Sequence, residues 1–134
     1  MVFHLAKNQD KQIALRKELD AILGSPSISD SFDDYASLWD KIKNIAYLEA
    51  VVNEGLRLHS AVGVGLPRLV PEGGISVLGH RFKEGTVLSV PVYSLHRDPS
   101  IWGPDAESFR PERWFDGDKA AMNRAFAPYS TGPR

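Results

Sequence analysis

Asn44-Ile45-Ala46-Tyr47-Leu48-Glu49-Ala50-Val51-Val52-Asn53-Glu54-Gly55-Leu56-Arg57-Leu58-His59 is the stretch on which the fold turns. Leu48, Val52 and Leu56 recur every fourth residue, and Ile45 and Val51 widen the same face. That is the period of an amphipathic helix. Gly55 interrupts it at a cost of roughly 1 kcal/mol relative to alanine in an exposed interior. It marks either a close approach of another backbone or a tolerated flaw. Glu54 and Arg57, three residues apart, share one helix face, so the carboxylate can meet the guanidinium. Spacing alone reads this as a surface ion pair worth a few tenths of a kcal/mol. If the pair is buried, a second arginine can occupy the remaining carboxylate lone pairs. Loss of one partner then leaves a costly unpaired charge.

Toward the N-terminus, Val2 to Lys7 reads as the end of a helix, and Asn8 can cap a new one. Ile13, Leu15, Leu19, Ile22 and Leu23 form an apolar stripe, with Lys11, Arg16, Lys17, Glu18 and Asp20 off it. Gly24, with Pro26 following, stops that helix. Residues 25 to 40 read as a polar loop anchored by Phe32, Tyr35, Leu38 and Trp39. Beyond the central helix the pattern changes. Arg68 to Val70, Gly74 to Leu78 and Thr86 to Tyr93 read as short strands, with turns at Pro71 to Gly74 and Lys83 to Gly85. Pro91 implies an edge, a bulge or a strand end. From residue 94 to 119 the chain holds Pro99, Pro104 and Pro111, and little regular structure is expected there. Trp102, Phe109, Trp114, Phe115, Phe126 and Tyr129 set large rings in this irregular backbone and just beyond it, which implies packing against something substantial. The expected class is mainly α with short β-strands, in a single domain spanning residues 1–134.

Composition narrows the function. A hydrophobic fraction of 43% with 25% charged residues belongs to a globular chain, not a disordered one. Sixteen basic against seventeen acidic residues give a net charge of -1, no electrostatic footprint for nucleic acid. No window is apolar enough to span a bilayer, and the first residues lack signal-peptide features. The chain has no cysteine, which removes disulfides, zinc-cysteine sites and thiol nucleophiles. His4, His59, His80 and His96 lack neighbours at metal-ligand spacing, so no metal site is expected.

Two further segments are candidates for chemistry. Arg113, in Phe109-Arg110-Pro111-Glu112-Arg113-Trp114, is a possible third member of the Glu54 and Arg57 group, although its local spacing equally fits a solvated turn. In Phe126-Ala127-Pro128-Tyr129-Ser130-Thr131-Gly132-Pro133-Arg134, Gly132 permits a close backbone approach and Arg134 can reach an anion. The same stretch also reads as a frayed polar tail. No phosphate-binding glycine loop, Ser-His-acid set or acidic metal cluster is present in the sequence.

Taken in order, these segments resemble the C-terminal part of the cytochrome P-450 superfamily, in the style of its fungal microsomal members. Glu54-x-x-Arg57 is similar to that family's Glu-x-x-Arg helix, and Gly65-Leu66-Pro67-Arg68 through Gly85-Thr86 to its following short-strand region. His96-Arg97-Asp98-Pro99 and Trp102-Gly103-Pro104 resemble the next segment. Phe109 to Trp114 resembles the Pro-Glu-Arg motif, and Tyr129 to Arg134 the opening of the haem-binding loop. The resemblance implies the end of the long oxygen-activating helix at Val2 to Lys7, two following helices, the short strands and the meander. It implies a buried triad of Glu54, Arg57 and Arg113 that braces the meander under a haem. Arg134 would contact a haem propionate, with Arg68 a second candidate, and Gly132 would let the backbone pass close to the porphyrin. Tyr129 stands where the family usually has phenylalanine, and its hydroxyl would need a partner if buried.

In the family the loop continues past the arginine through any residue, cysteine, any residue and glycine. The axial cysteine thiolate that drives oxygen-oxygen cleavage is therefore expected beyond Arg134. No catalytic or metal-ligating residue is expected within these residues, which would be inactive alone. The parent is expected to be a haem-dependent monooxygenase that inserts one oxygen atom into an organic substrate. An NADPH-dependent reductase or equivalent would supply electrons, and a preceding segment would anchor the enzyme in the endoplasmic reticulum membrane. A truncated, non-catalytic globular segment with a structural or binding role is the alternative. Apolar faces of the Leu48-Val52-Leu56 kind would then lack partners, so loose tertiary structure is expected of the isolated chain.

Overall fold

The computed structural model describes residues 1–24 and 35–131, and at residues 35–37 the backbone alone. In chain order the helices are α1 (Val2–Lys7), α2 (Gln9–Leu23), α3 (Tyr35–Ile42) and α4 (Ala46–Leu58). Four short strands follow: β1 (Arg68–Leu69), β2 (Ile75–Val77), β3 (His80–Phe82) and β4 (Val87–Leu88). The chain then runs through α5 (Val92–Leu95), α6 (Pro99–Trp102), α7 (Arg113–Asp116) and α8 (Lys119–Ala125). Helices with short strands are the class read from the sequence.

Several elements differ from expectation for identifiable reasons. Asn8 stands at the N-cap of α2, where its carbonyl accepts from Lys11 and Gln12, but its side chain makes no bond to that helix. Its side-chain Nδ2 donates to the His4 carbonyl at 2.8 Å and so closes the end of α1. The stripe on α2 is mostly at the surface: Leu15 is buried and Leu19 half-buried, whereas Ile13 is 67% exposed. Tyr35, Leu38 and Trp39, read as loop anchors, belong to α3, and Trp39 is exposed; Phe32 lies outside the described residues. The long strand expected over Thr86 to Tyr93 shortens to Val87–Leu88, because Pro91 cannot join a ladder and instead caps α5. β3 was not foreseen; it pairs antiparallel with β2 through Ile75 opposite Phe82, while β1 pairs antiparallel with β4.

The expected irregular region carries two short helices, α6 and α7, and α8 begins at its end. Asp98 starts α6 by accepting from the Ser100 amide with Pro99 at its first position, and Asp118 starts α8 by accepting from Ala120 and Ala121. Local capping chemistry thus prevails over proline content. Tight spots are taken by glycine. A Cβ on Gly65, at φ 80°, would run into the carbonyl oxygen of Val90. A Cβ on Gly55 would stand 3.3 Å from the Met1 Cβ, so another segment does pass close there.

Two apolar clusters hold the described residues together. Leu15, Tyr47, Val51, Leu58 and Phe109 bring α2 and α4 against the loop ahead of α7. Trp102, Ala106, Met122 and Ala125 bring α6 and α8 together. The buried face of α4 is Tyr47, Ala50, Val51, Glu54, Gly55, Arg57 and Leu58. Leu48, Val52 and Leu56, expected to lead that face, are half-buried at its flank. The inward face carries two charges, so apolar periodicity alone points the helix slightly the wrong way.

Candidate functional site: a buried carboxylate between two arginines

Glu54 and Arg57 are fully buried, and Arg113 is 2% exposed. The helical spacing of the first two gives a bidentate fork: Arg57 Nε donates to Glu54 Oε2 and Nη2 to Oε1, each at 2.9 Å. Arg113, brought in by α7, donates through Nε to Oε1 at 2.9 Å. The Arg110 amide adds a bond to Oε1 at 3.0 Å, and the Trp114 indole N–H one to Oε2 at 3.2 Å. Every donor-facing site of the carboxylate is thereby occupied, as a buried charge requires.

The outer edges of both guanidiniums reach backbone carbonyls in one loop. Arg57 donates to His96, Ala106 and Ser108. Arg113 donates to Trp102, Asp105 and Ser108, and also to the Asp105 carboxylate at 3.2 Å. Apart from Asp105, whose carbonyl also accepts from the Ser108 amide, these carbonyls take no such backbone bond among the described residues, and the arginines satisfy them instead. The Trp102 ring lies under Arg57 at 5.2 Å and beside Trp114 at 5.7 Å, closing the cluster from water. This arrangement fixes a loop to a helix. It has neither nucleophile nor base open to a substrate.

A second set of contacts caps the end of α4. His96 Nδ1 bonds the Arg57 carbonyl at 3.1 Å, and Arg97 Nη2 donates to the Leu58 carbonyl at 2.6 Å. These are carbonyls that the last helical turn cannot satisfy itself. Arg97 also places a cation at the negative helix end and stacks on Tyr93 at 3.8 Å. A third polar group joins α2, α4 and the segment before α7: Glu112 Oε1 accepts from Lys11 Nζ and Tyr47 Oη, both at 2.9 Å. Burial pushes the Glu112 carboxyl up, but the bonds from Lys11, its own backbone and Tyr47 outweigh it and hold the carboxyl below its usual value. Spacing could not have revealed His96, Trp114 or Glu112, because each partner lies tens of residues away.

The remaining expected residues behave differently. Arg68 is exposed on β1 with its guanidinium on the neighbouring Pro67 carbonyl, and it does not join the cluster. Gly132 and Arg134 lie outside the described residues. Tyr129 is 61% exposed, so its hydroxyl needs no internal partner. A cleft of about 310 Å³ opens between α4 and α8, lined by Ala46, Ala50, Asn53, Trp114, Met122 and Phe126 among others. No cluster of three or more potential metal ligands occurs among the described residues.

The family model described as cytochrome P-450 matches residues 1–134. The chain belongs to the cytochrome P-450 family. Among its relatives, the benzoate 4-monooxygenase bphA of Aspergillus niger is 48% identical over 96 residues, covering 69% of this chain and 19% of that protein. The cytochrome P-450 monooxygenase cicH of Emericella nidulans is 33% identical over 121 residues, 90% of this chain and 23% of its own length. The cytochrome P-450 monooxygenase ACRTS1 of Alternaria alternata is 32% identical over 134 residues, 98% of this chain and 34% of its own length. The chain thus spans about a fifth to a third of the length of these relatives.

Cytochrome P-450 proteins are haem proteins. The residues present do not by themselves fit the iron. No cysteine occurs in the sequence, and the buried His96 has both ring nitrogens engaged. What these residues offer is a scaffold: a helix, a loop held to it by ion-paired arginines, and a following segment pinned beside them.

Proposed function

We propose that this chain is the scaffold region next to the haem of a haem-thiolate monooxygenase. In this reading α1 is the end of the long oxygen-activating helix, α2 and α4 are two helices that follow it, and residues 94–119 form the meander. Residues 1–134 are then part of one larger domain. The supporting observation is the Glu54, Arg57 and Arg113 cluster, whose outer bonds fall on the carbonyls of residues 96–108. Its role is to hold the meander in one shape, so that the haem-binding loop opening at Tyr129 follows from a fixed support. Arg134 and Gly132 are proposed to meet the cofactor, Arg134 at a propionate. Arg68, exposed on β1 with its guanidinium on the Pro67 carbonyl, is a weaker second candidate.

When bound, haem supplies dioxygen activation for insertion of one oxygen atom into an organic substrate. The residues of this chain contribute position and exclusion of water, not proton transfer. Electrons come from an NADPH-dependent reductase or equivalent donor. The whole enzyme sits at the endoplasmic reticulum membrane through a segment other than those described, where no helix is long and apolar enough to cross a bilayer. These 134 residues alone form no thiolate-ligated haem, since they include no cysteine. The test is to mix the chain with haem, reduce it, add carbon monoxide and record the spectrum. Absence of a thiolate-type Soret band is expected; its appearance would overturn the scaffold reading.

A further inference from the structure

His96 is fully buried, yet its ring takes part in none of the ion pairs. Its two nitrogens face opposite kinds of partner. Nε2 lies 3.0 Å from the Ala127 amide, which can only donate, so Nε2 must be the unprotonated nitrogen. Nδ1 lies 3.1 Å from the Arg57 carbonyl, which can only accept, so Nδ1 must carry the hydrogen. The surroundings therefore select one neutral tautomer. Arg57 returns the contact by donating to the His96 carbonyl, so side chain and backbone of the two residues are bonded reciprocally. The ring is stacked on Phe126 at 5.6 Å and meets Trp102 edge-on at 6.0 Å, which fixes its plane.

We propose that His96 is a positioning residue: as the neutral Nδ1–H tautomer it latches the segment 126–131 to the C-terminal end of α4. The latch stands on geometry alone. Its consequence, that the latch sets the entry angle of the haem loop, rests on the function proposed above.

Protonation would break the latch, because an N–H at Nε2 would face the Ala127 N–H. The charged groups facing the ring are Arg57 from α4, itself paired with Glu54, and Arg97 from the same segment; α6 and residue 126 present aromatic rings. Burial first, then the positive arginines, hold the imidazole below its ordinary value, against the pull of its bond to the Arg57 carbonyl. With the folded value below the unfolded one, the latch is fully present above pH ~6.5 and is lost as pH falls through the depressed folded value.

The test is hydrogen exchange at the Ala127 amide in the whole chain, expressed as a protection factor, from pH 7.5 downward to the onset of acid unfolding. Protection that falls about tenfold toward low pH is expected in the wild type, in keeping with loss of one buried hydrogen bond. His96→Gln, whose amide oxygen can replace Nε2 as acceptor, should keep protection and lose its pH dependence. His96→Phe, which keeps the stack and lacks the acceptor, should lose protection at every pH. Equal protection in His96→Phe and wild type overturns the latch, as does an Ala127 amide unprotected in wild type at pH 7.5. Long-range nitrogen-proton spectra that show Nε2 protonated at pH 7.5 overturn it as well. Failure of the haem-loop reading is separate: a full-length relative carrying the equivalent histidine change would keep an unaltered Soret spectrum while the amide loses protection.

Discussion

Replacing Glu54 by glutamine tests the cluster with almost no change of shape. Glu54 accepts three hydrogen bonds on Oε1 and two on Oε2, all from donors. An amide keeps one oxygen and turns the other position into a donor. If its NH2 replaces Oε2, it faces Arg57 Nε and the Trp114 indole N–H; if it replaces Oε1, it faces three donors. Either way two buried guanidiniums lose their common counter-charge, and only the half-exposed Asp105 carboxylate remains beside Arg113. Breaking a buried ion pair by removing one partner costs about 3–5 kcal/mol. A whole domain is stable by about 5–15 kcal/mol, so a fifth or more of such a total would vanish. Trp102 and Trp114 lie against the cluster and report on it, so urea unfolding read by tryptophan fluorescence is the assay. A midpoint shift corresponding to less than about 1 kcal/mol would refute the reasoning that this carboxylate is an obligatory buried anion.

Other changes should rank below it. Arg113→Lys keeps the charge but cannot reach Glu54, Trp102, Asp105 and Ser108 together, so a loss of about 2 kcal/mol or more is expected in the same titration. Glu112→Gln removes a partly exposed carboxylate bound by Lys11 and Tyr47, and about 1 kcal/mol is expected from differential unfolding. Burial, then His59, hold the His4 imidazole below its usual value, as burial does at His96. Stability should therefore be complete above pH ~6.5 and decline as pH falls, and a His4→Gln, His96→Gln double variant should flatten that decline in pH-dependent melts. Val2, Phe3, Ile13, Val64 and Leu78 are largely exposed, so the isolated chain should bind a hydrophobic dye. No binding would contradict the view that these faces need partners outside the described residues.

The central helix and the class of fold were legible because 3.6-residue periodicity survives without tertiary knowledge. Its facing was not, since Glu54 and Arg57 occupy positions where polarity signals solvent. Burial of those charges depends on Arg113, Arg110 and Trp114, more than fifty residues away. Motif order brought Arg113 into consideration where spacing could not. His96 was visible only as one of four histidines without metal-ligand neighbours and as part of His96-Arg97-Asp98-Pro99. Its task, like that of Arg97, comes from unsatisfied carbonyls at the end of α4, which no local pattern announces. The strands shortened where Pro91 intervened, and α6 and α8 formed where Asp98 and Asp118 supplied caps.

The most direct measurement for the scaffold role is hydrogen exchange across residues 96–108 in wild type and Glu54→Gln at pH 7.5. With the cluster as the clamp on this loop, wild-type amides there are protected, and the substitution raises their exchange by tenfold or more while α2 changes less. Unchanged exchange in 96–108 after loss of the carboxylate would contradict the clamp.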